Sequence, residues 1–141
     1  MKQEIAVTVD AVVLNSANNK PEILLIKRRN QPFKNKWALP GGFLEKDETL
    51  EYGAKRELEE ETGLRINTLI QLKTYGAVDR DPRGRTISIA FIAVTNRHQE
   101  VKAADDALEA KWFDLQDLPG LAFDHSQILD DAKLWLVNNK I

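Results

Sequence analysis

The segment from Thr49 to Gly63, TLEYGAKRELEEETG, constrains this chain more than any other. Leu50, Ala54 and Leu58 recur at helical spacing, Thr49 offers a hydroxyl N-cap, Glu51 suits the first turn and Gly63 suits a left-handed C-terminal position. The pattern predicts a helix over Thr49 to Thr62. Within it Glu57, Glu60 and Glu61 stand at i, i+3 and i+4, with Arg56 beside them. Three carboxylates therefore share one edge at the border of the apolar stripe, while Lys55 and Glu59 fall on the outer face. Each like-charged neighbour pair costs roughly 0.2–0.5 kcal/mol on an isolated helix, and a bound cation reverses that sign.

Oxygen-only ligands of this kind suit a hard cation such as Mg2+ or Mn2+, which also binds phosphate oxygens. Just upstream, Gly41-Gly42 carries no side chains, so the backbone there can approach a metal or a phosphate closely. The chain has no cysteine and only two histidines, His98 and His125, which argues against thiolate sites, a Cys nucleophile and zinc catalysis. Twenty basic residues against twenty-two acidic ones leave a net charge of -2. No broad positive field gathers nucleic acid polymers or anionic membranes, so an anionic substrate must be held locally.

At 141 residues, 43% of them hydrophobic, the whole chain is expected to be one domain. Lys2, Glu4 and Asp10 interrupt the apolar run from Met1 to Val13, which excludes a signal peptide or membrane span there and makes a cytoplasmic protein the expectation. Ile5 to Leu14 and Glu22 to Lys27 read as strands of a hairpin around the turn Asn15 to Pro21. Arg28 to Lys36 and Pro40-Gly41-Gly42 read as loops flanking the apolar Trp37 to Leu39. Leu64 to Val78, Thr86 to Thr95 and a short Lys111 to Phe113 read as strands, with Asp79 to Arg85 as a charged loop. His125 to Val137 reads as a terminal helix packed on the sheet, with His125 in a helix-start or packing role.

Gly42, Glu48, Arg56, Glu57, Leu58, Glu60, Glu61, Gly63 and Leu64 fit the box Gx5Ex7REUxEExGU, where U is a bulky aliphatic residue, at every fixed position. In these residues the chain resembles the Nudix hydrolases. The resemblance implies an α+β fold, a Nudix-type α/β/α sandwich with a central mixed β-sheet. It implies that Glu57, Glu60, Glu61 and the Gly41 carbonyl bind Mg2+ or Mn2+, that Arg56 orients the glutamates and that Glu48 supports them. Such a cation neutralises a diphosphate and activates water for in-line displacement. By the same resemblance the base is either a box carboxylate or an acid from a later loop, for which Asp106, a few residues before Trp112-Phe113, is favoured, with Asp105 and Glu109 as rivals.

Three further segments, PFKNKWALPGGF (Pro32 to Phe43), DRDPRGRTIS (Asp79 to Ser88) and LAFDH (Leu121 to His125), are similar to those of ADP-ribose pyrophosphatases. That similarity implies a small nucleotide as partner, hydrolysis of ADP-ribose to AMP and ribose 5-phosphate, and a homodimer. Arg28, Arg29, Arg83 and Arg85 are candidates to grip phosphates, and Trp37 or Phe33 to stack on adenine. A nucleoside triphosphate pyrophosphatase would share the box and differ in its base pocket. A nucleotide-sensing module is the reading outside enzymology, which an intact box disfavours.

Overall fold

The computed structural model describes residues 2–17 and 19–139; Met1, and Asn18 of the expected turn, lie outside them. Nine elements follow one another among the described residues: β1 (Ala6–Asn15), β2 (Glu22–Arg28), β3 (Trp37–Ala38), β4 (Gly41–Phe43), α1 (Leu50–Thr62), β5 (Ile70–Tyr75), β6 (Thr86–Thr95), β7 (Ala107–Asp114) and α2 (His125–Asn138).

Strand alternation assigns the two faces of the sheet. Val9, Ala11 and Val13 of β1 pack with Ala54 and Leu58 of α1, whereas Val12 and Leu14 pack with Ile128, Leu129 and Ala132 of α2. The helices thus cover opposite faces of one mixed sheet, the expected sandwich. Caps hold α1 where the sequence places it. The Thr49 hydroxyl accepts from the Tyr52 N–H, and Gly63 sits at φ 76° with its N–H bonded to the Glu59 carbonyl.

The feature that positions the site is a split in the sheet. β1 pairs in parallel with β6 along its whole length, but its other edge meets β2 only at Leu14 and Asn15. The expected hairpin is therefore short, because β2 turns away to pair with β7 from Glu22 to Arg28 and with β3 at Ile26 and Lys27. The segment from Trp37 to Phe43 fills the gap: β3 lies on β2, β4 lies on β1, and the Ala11 N–H donates to the Pro40 carbonyl at 2.9 Å.

Three expectations need correction. Gly41–Phe43 is a strand rather than a loop, since the free edge of β1 at Thr8–Asp10 supplies a partner that local turn propensity does not register. Only Ile70–Tyr75 of the long run from Leu64 is strand, because β6 offers an edge only opposite those residues. Leu64 and Leu69 instead bury themselves in the clusters under α1. Finally, β7 runs over eight residues instead of three, drawn out along the whole of β2.

Leu58 is fully buried between α1 and the sheet, whereas Lys55 on the outer face makes an exposed pair with Glu51. Leu58→Ala is expected to lower unfolding free energy by about 2–5 kcal/mol and Lys55→Ala by no more than about 0.5 kcal/mol, read from urea midpoints at unchanged m-value.

Candidate active site

Arg56, midway along α1, gathers the acids. Its Nε and Nη2 donate to the two carboxylate oxygens of Glu48 at 2.8 and 2.6 Å, a bidentate fork. Its Nη1 donates to Glu57 at 2.8 Å and Glu60 at 3.1 Å, and Nη2 also reaches the Phe43 carbonyl. The fork holds the Glu48 carboxyl below its ordinary pKa and raises that of Arg56. A glycine inside the helix makes this possible: a Cβ on Gly53 would lie 2.9 Å from Glu48 Oε1, so the helix accepts a residue costing about 1 kcal/mol against alanine.

Glu57 and Glu61 face inward from the same edge. Glu61 is only 3% exposed, and its Oε1 accepts the Gly41 N–H at 2.8 Å. Burial first, and then its carboxylate neighbours Glu57 and Asp106, push its pKa well up against that backbone bond. Burial likewise raises Glu57, against the pull of Arg56. The Glu57 carboxylate fills the space left by Gly42, where a Cβ would lie 2.8 Å away. Asp106 lies exposed beside Glu61, held there because the Arg29 N–H donates to its carbonyl and the Ala104 N–H donates to that of Glu61.

Oxygen-only donors with uncompensated negative charge fit a hard divalent cation. Among the described residues no three such groups already converge on one point. Glu57 and Glu60 turn to Arg56 and Glu61 turns to Gly41, so the fit lies in the donor chemistry and charge rather than in a finished cage.

Across β4 from these acids is a polar pocket lined by Thr8, Asp10, Arg28, Arg80, Arg83 and His125, among others. Arg83 grips Asp81 and lies over the Phe43 and Phe123 rings at 4.6 and 5.5 Å; Arg28 lies over Phe123 at 5.0 Å. Arg80 is committed to Asp124 through two bonds of 2.9 and 2.6 Å. Arg28 and Arg83 thus reach the pocket. Arg29 is exposed beyond it, Arg85 lies in a separate groove beside residues 3–6, and Trp37 packs edge-on against Phe113 at 4.7 Å. Phe33 meets Phe123 at 4.7 Å.

Sequence reasoning passed over Asp10, Ser88, Arg80 and Phe123. One signal was available: an aspartate inside the buried run VTVDAVVLN is out of place unless something pairs with it.

A model of the NUDIX domain matches residues 4–133. The chain belongs to the Nudix family. It is 52% identical over 130 residues to an ADP-ribose pyrophosphatase from Methanocaldococcus jannaschii, a match covering 92% of this chain and 74% of that protein. The NUDIX domain of Shewanella oneidensis NrtR, solved with ADP ribose, superposes with a TM-score of 0.90 at 34% identity, covering 96% of this chain and 90% of that one. A bifunctional NMN adenylyltransferase/ADP ribose pyrophosphatase from Francisella tularensis, solved with AMP and a Mn ion, gives a TM-score of 0.77 at 35% identity. The match covers 98% of this chain but only 42% of that one. The Nudix box residues run from Gly42 in β4 through the Glu48 loop to α1 and its C-cap, the segment in which the acids above are gathered.

His125 is buried, and its Nδ1 accepts the Leu39 N–H at 3.0 Å, which requires that nitrogen to be unprotonated. Burial is the main cause that lowers its pKa, against the pull of Asp10 and Asp124. The unfolded chain protonates this residue near pH 6.5 and the folded one only at lower pH. Its contribution to stability is therefore complete above about pH 6.5 and is lost as pH falls, by at most about 1.4 kcal/mol per pH unit. Thermal unfolding from pH 7.5 to 5 should show the wild type losing stability more steeply than His125→Asn; parallel curves would contradict a buried neutral imidazole.

Proposed function

We propose that this Nudix chain hydrolyses the diphosphate of ADP-ribose, giving AMP and ribose 5-phosphate, with Mg2+ or Mn2+ as its cation. The observation that carries this reading is the pairing of an under-compensated acidic edge with an arginine-lined polar pocket on the other side of β4. The match to a protein named ADP-ribose pyrophosphatase, and to structures solved with ADP ribose and with a Mn ion, supports it.

Glu57, Glu60 and Glu61 would hold the cation beside the Gly41 backbone. When bound, that cation neutralises the diphosphate and makes a water acidic enough to attack at neutral pH. Arg56 positions Glu57 and Glu60 while its fork to Glu48 keeps the guanidinium in place. Arg28 stands between the two compartments; its charge feels Asp106 and Glu61 on one side and Arg83 and Asp81 on the other. That place suits a phosphate contact. The water oxygen forms a bond to phosphorus, the bridging P–O bond breaks, and Asp106 takes the proton the water releases. Asp106 acts on both Glu57 and Glu61, whereas its rival Glu109 pairs with Lys27 at 3.5 Å and Asp105 is not among the main groups acting on either acid. The family resemblance extends the reading to a homodimer in the cytoplasm. No helix among the described residues is long and apolar enough to cross a membrane.

The test is AMP release from ADP-ribose with Mg2+ or Mn2+, run beside nucleoside triphosphates, other nucleotide sugars and dinucleotides. Preference for ADP-ribose supports the reading, preference for triphosphates replaces the substrate, and no turnover of any of them overturns it. Glu57→Gln and Glu61→Gln are each expected to lower kcat by more than about 100-fold with the fold retained. Arg56→Lys, which loses the fork, should cost about 10- to 100-fold.

A further inference from the structure

Asp10 is a buried carboxylate to which the hydrolytic scheme gives no part. It belongs to the row of β1 that faces α2, where Val12 and Leu14 beyond it are apolar, and it is 6% exposed. Its Oδ2 accepts the Ser88 hydroxyl of β6 at 2.5 Å. Its Oδ1 lies against Gly41, its cross-strand partner, where any Cβ would come within 2.4 Å. The Val9 carbonyl closes the same space, so backbone and Asp10 together require glycine at position 41, as Glu57 does at Gly42 on the other side.

Oδ1 is incompletely served. The neutral His125 ring brings its Nε2 only to 3.7 Å, beyond hydrogen-bond reach. Yet the atom is not sealed off: Asp10 lines the polar pocket, and the described residues contain a single buried side-chain polar atom without a partner, Asn15 Nδ2. An acceptor-only oxygen thus lies at the pocket wall beside the glycine strand that borders the acidic edge. Arg28 shares the pocket, its Nε bonded to the Pro32 carbonyl and its charge in no ion pair among the described residues.

The chemistry of a group that Oδ1 accepts is narrow. An anion at Oδ1 is repelled by the carboxylate, and a cation there faces Arg28, whose charge is unpaired among the described residues while Arg80 and Arg83 are compensated by Asp124 and Asp81, so the partner that fits is a neutral donor. A nucleobase needs a ring face to lie on, and the face nearest, Phe123, is already covered by Arg28, Arg83 and Phe33. A sugar hydroxyl needs only hydrogen-bond partners, and Thr8, Asp10 and the exposed backbone of β4 offer them.

Building on the proposed ADP-ribose activity, we infer that Asp10 determines specificity: its Oδ1 accepts a hydrogen bond from a hydroxyl of the terminal sugar, with Arg28 on the adjoining phosphate. Nucleoside triphosphates carry no such second sugar and forgo the contact. Ser88 acts as a positioning residue that fixes the carboxylate.

Asp10→Asn keeps the shape and an acceptor for Ser88. Steady-state hydrolysis should be compared for ADP-ribose, its hypoxanthine analogue, and the methyl ester of ADP, which keeps the diphosphate diester but has no terminal sugar. The variant should raise KM for ADP-ribose and the hypoxanthine analogue by about 10- to 100-fold with kcat within about threefold, and leave KM for the methyl ester unchanged. Ser88→Ala, which retains the acid, should shift KM in the same substrate-dependent direction by a few fold, and serves if Asp10→Asn does not fold. An equal penalty on all three substrates would reduce Asp10 to a structural role, and a penalty lost with hypoxanthine would move the contact to the base. Wild-type enzyme inactive on ADP-ribose would instead sink the parent activity, an outcome distinct from an active wild type whose KM the variants leave unchanged.

Discussion

The close approach of β4 to everything around it is the constraint on which the site depends. Gly41 and Gly42 are adjacent in a strand, so the directions in which side chains would point are opposite. One direction is filled by Asp10 from β1 and the other by Glu57 from α1, and a methyl group in either place would overlap them. The same strand donates the Gly41 N–H to Glu61, which ties the helix edge to the sheet. Helix, split sheet and pocket are thereby registered to one another through two adjacent residues that carry no side chain.

Electrostatics then decides what this geometry is for. Among the described residues the one guanidinium bonded to the helix acids on their inner side is that of Arg56, and two of its directions are spent on Glu48. Glu61 is left with a single backbone N–H, and both it and Glu57 hold protons more tightly than an ordinary glutamate because burial outweighs their bonds. A purely structural arrangement would pair these acids or replace them, since buried unpaired charge is among the larger penalties a fold can carry. The charge makes sense as half of an interaction whose other half arrives with the cation and the diphosphate.

The helix and its caps were legible because every signal for them is local: Thr49, Gly63 and the apolar spacing act within a few residues. The same holds for β6, whose bounds match the apolar run TISIAFIAVT. β4 and most of β7 were not legible, because a strand there exists only by virtue of a distant edge, that of β1 for Gly41–Phe43 and that of β2 for Ala107–Asp114. Of the site, the Arg56–Glu60 pair follows from helical i, i+4 spacing, whereas the fork to Glu48 depends on how the loop before Thr49 is held; Arg28 and Arg83 do reach the pocket. Trp37 illustrates the opposite case. Its ring is taken by Phe113, a contact between β3 and β7 that local sequence does not encode.

Backbone strain marks the same region independently. Phe33, Asn35, Asp105 and Phe123 take positive φ values of 60°, 69°, 57° and 52°, where a non-glycine residue costs on the order of 1–3 kcal/mol. All four belong to the loops around the split in the sheet. Phe33 and Asn35 follow β2 in the loop whose Pro32 carbonyl holds Arg28, Asp105 precedes Asp106, and Phe123 lies under Arg28 and Arg83 and two residues before His125. Such conformations persist only where surrounding contacts over-determine them. Here those contacts are the ones that aim two arginines and an aspartate toward the glycine strand, so the local cost is met by the packed sheet behind it while the polar groups stay fixed in place for a ligand.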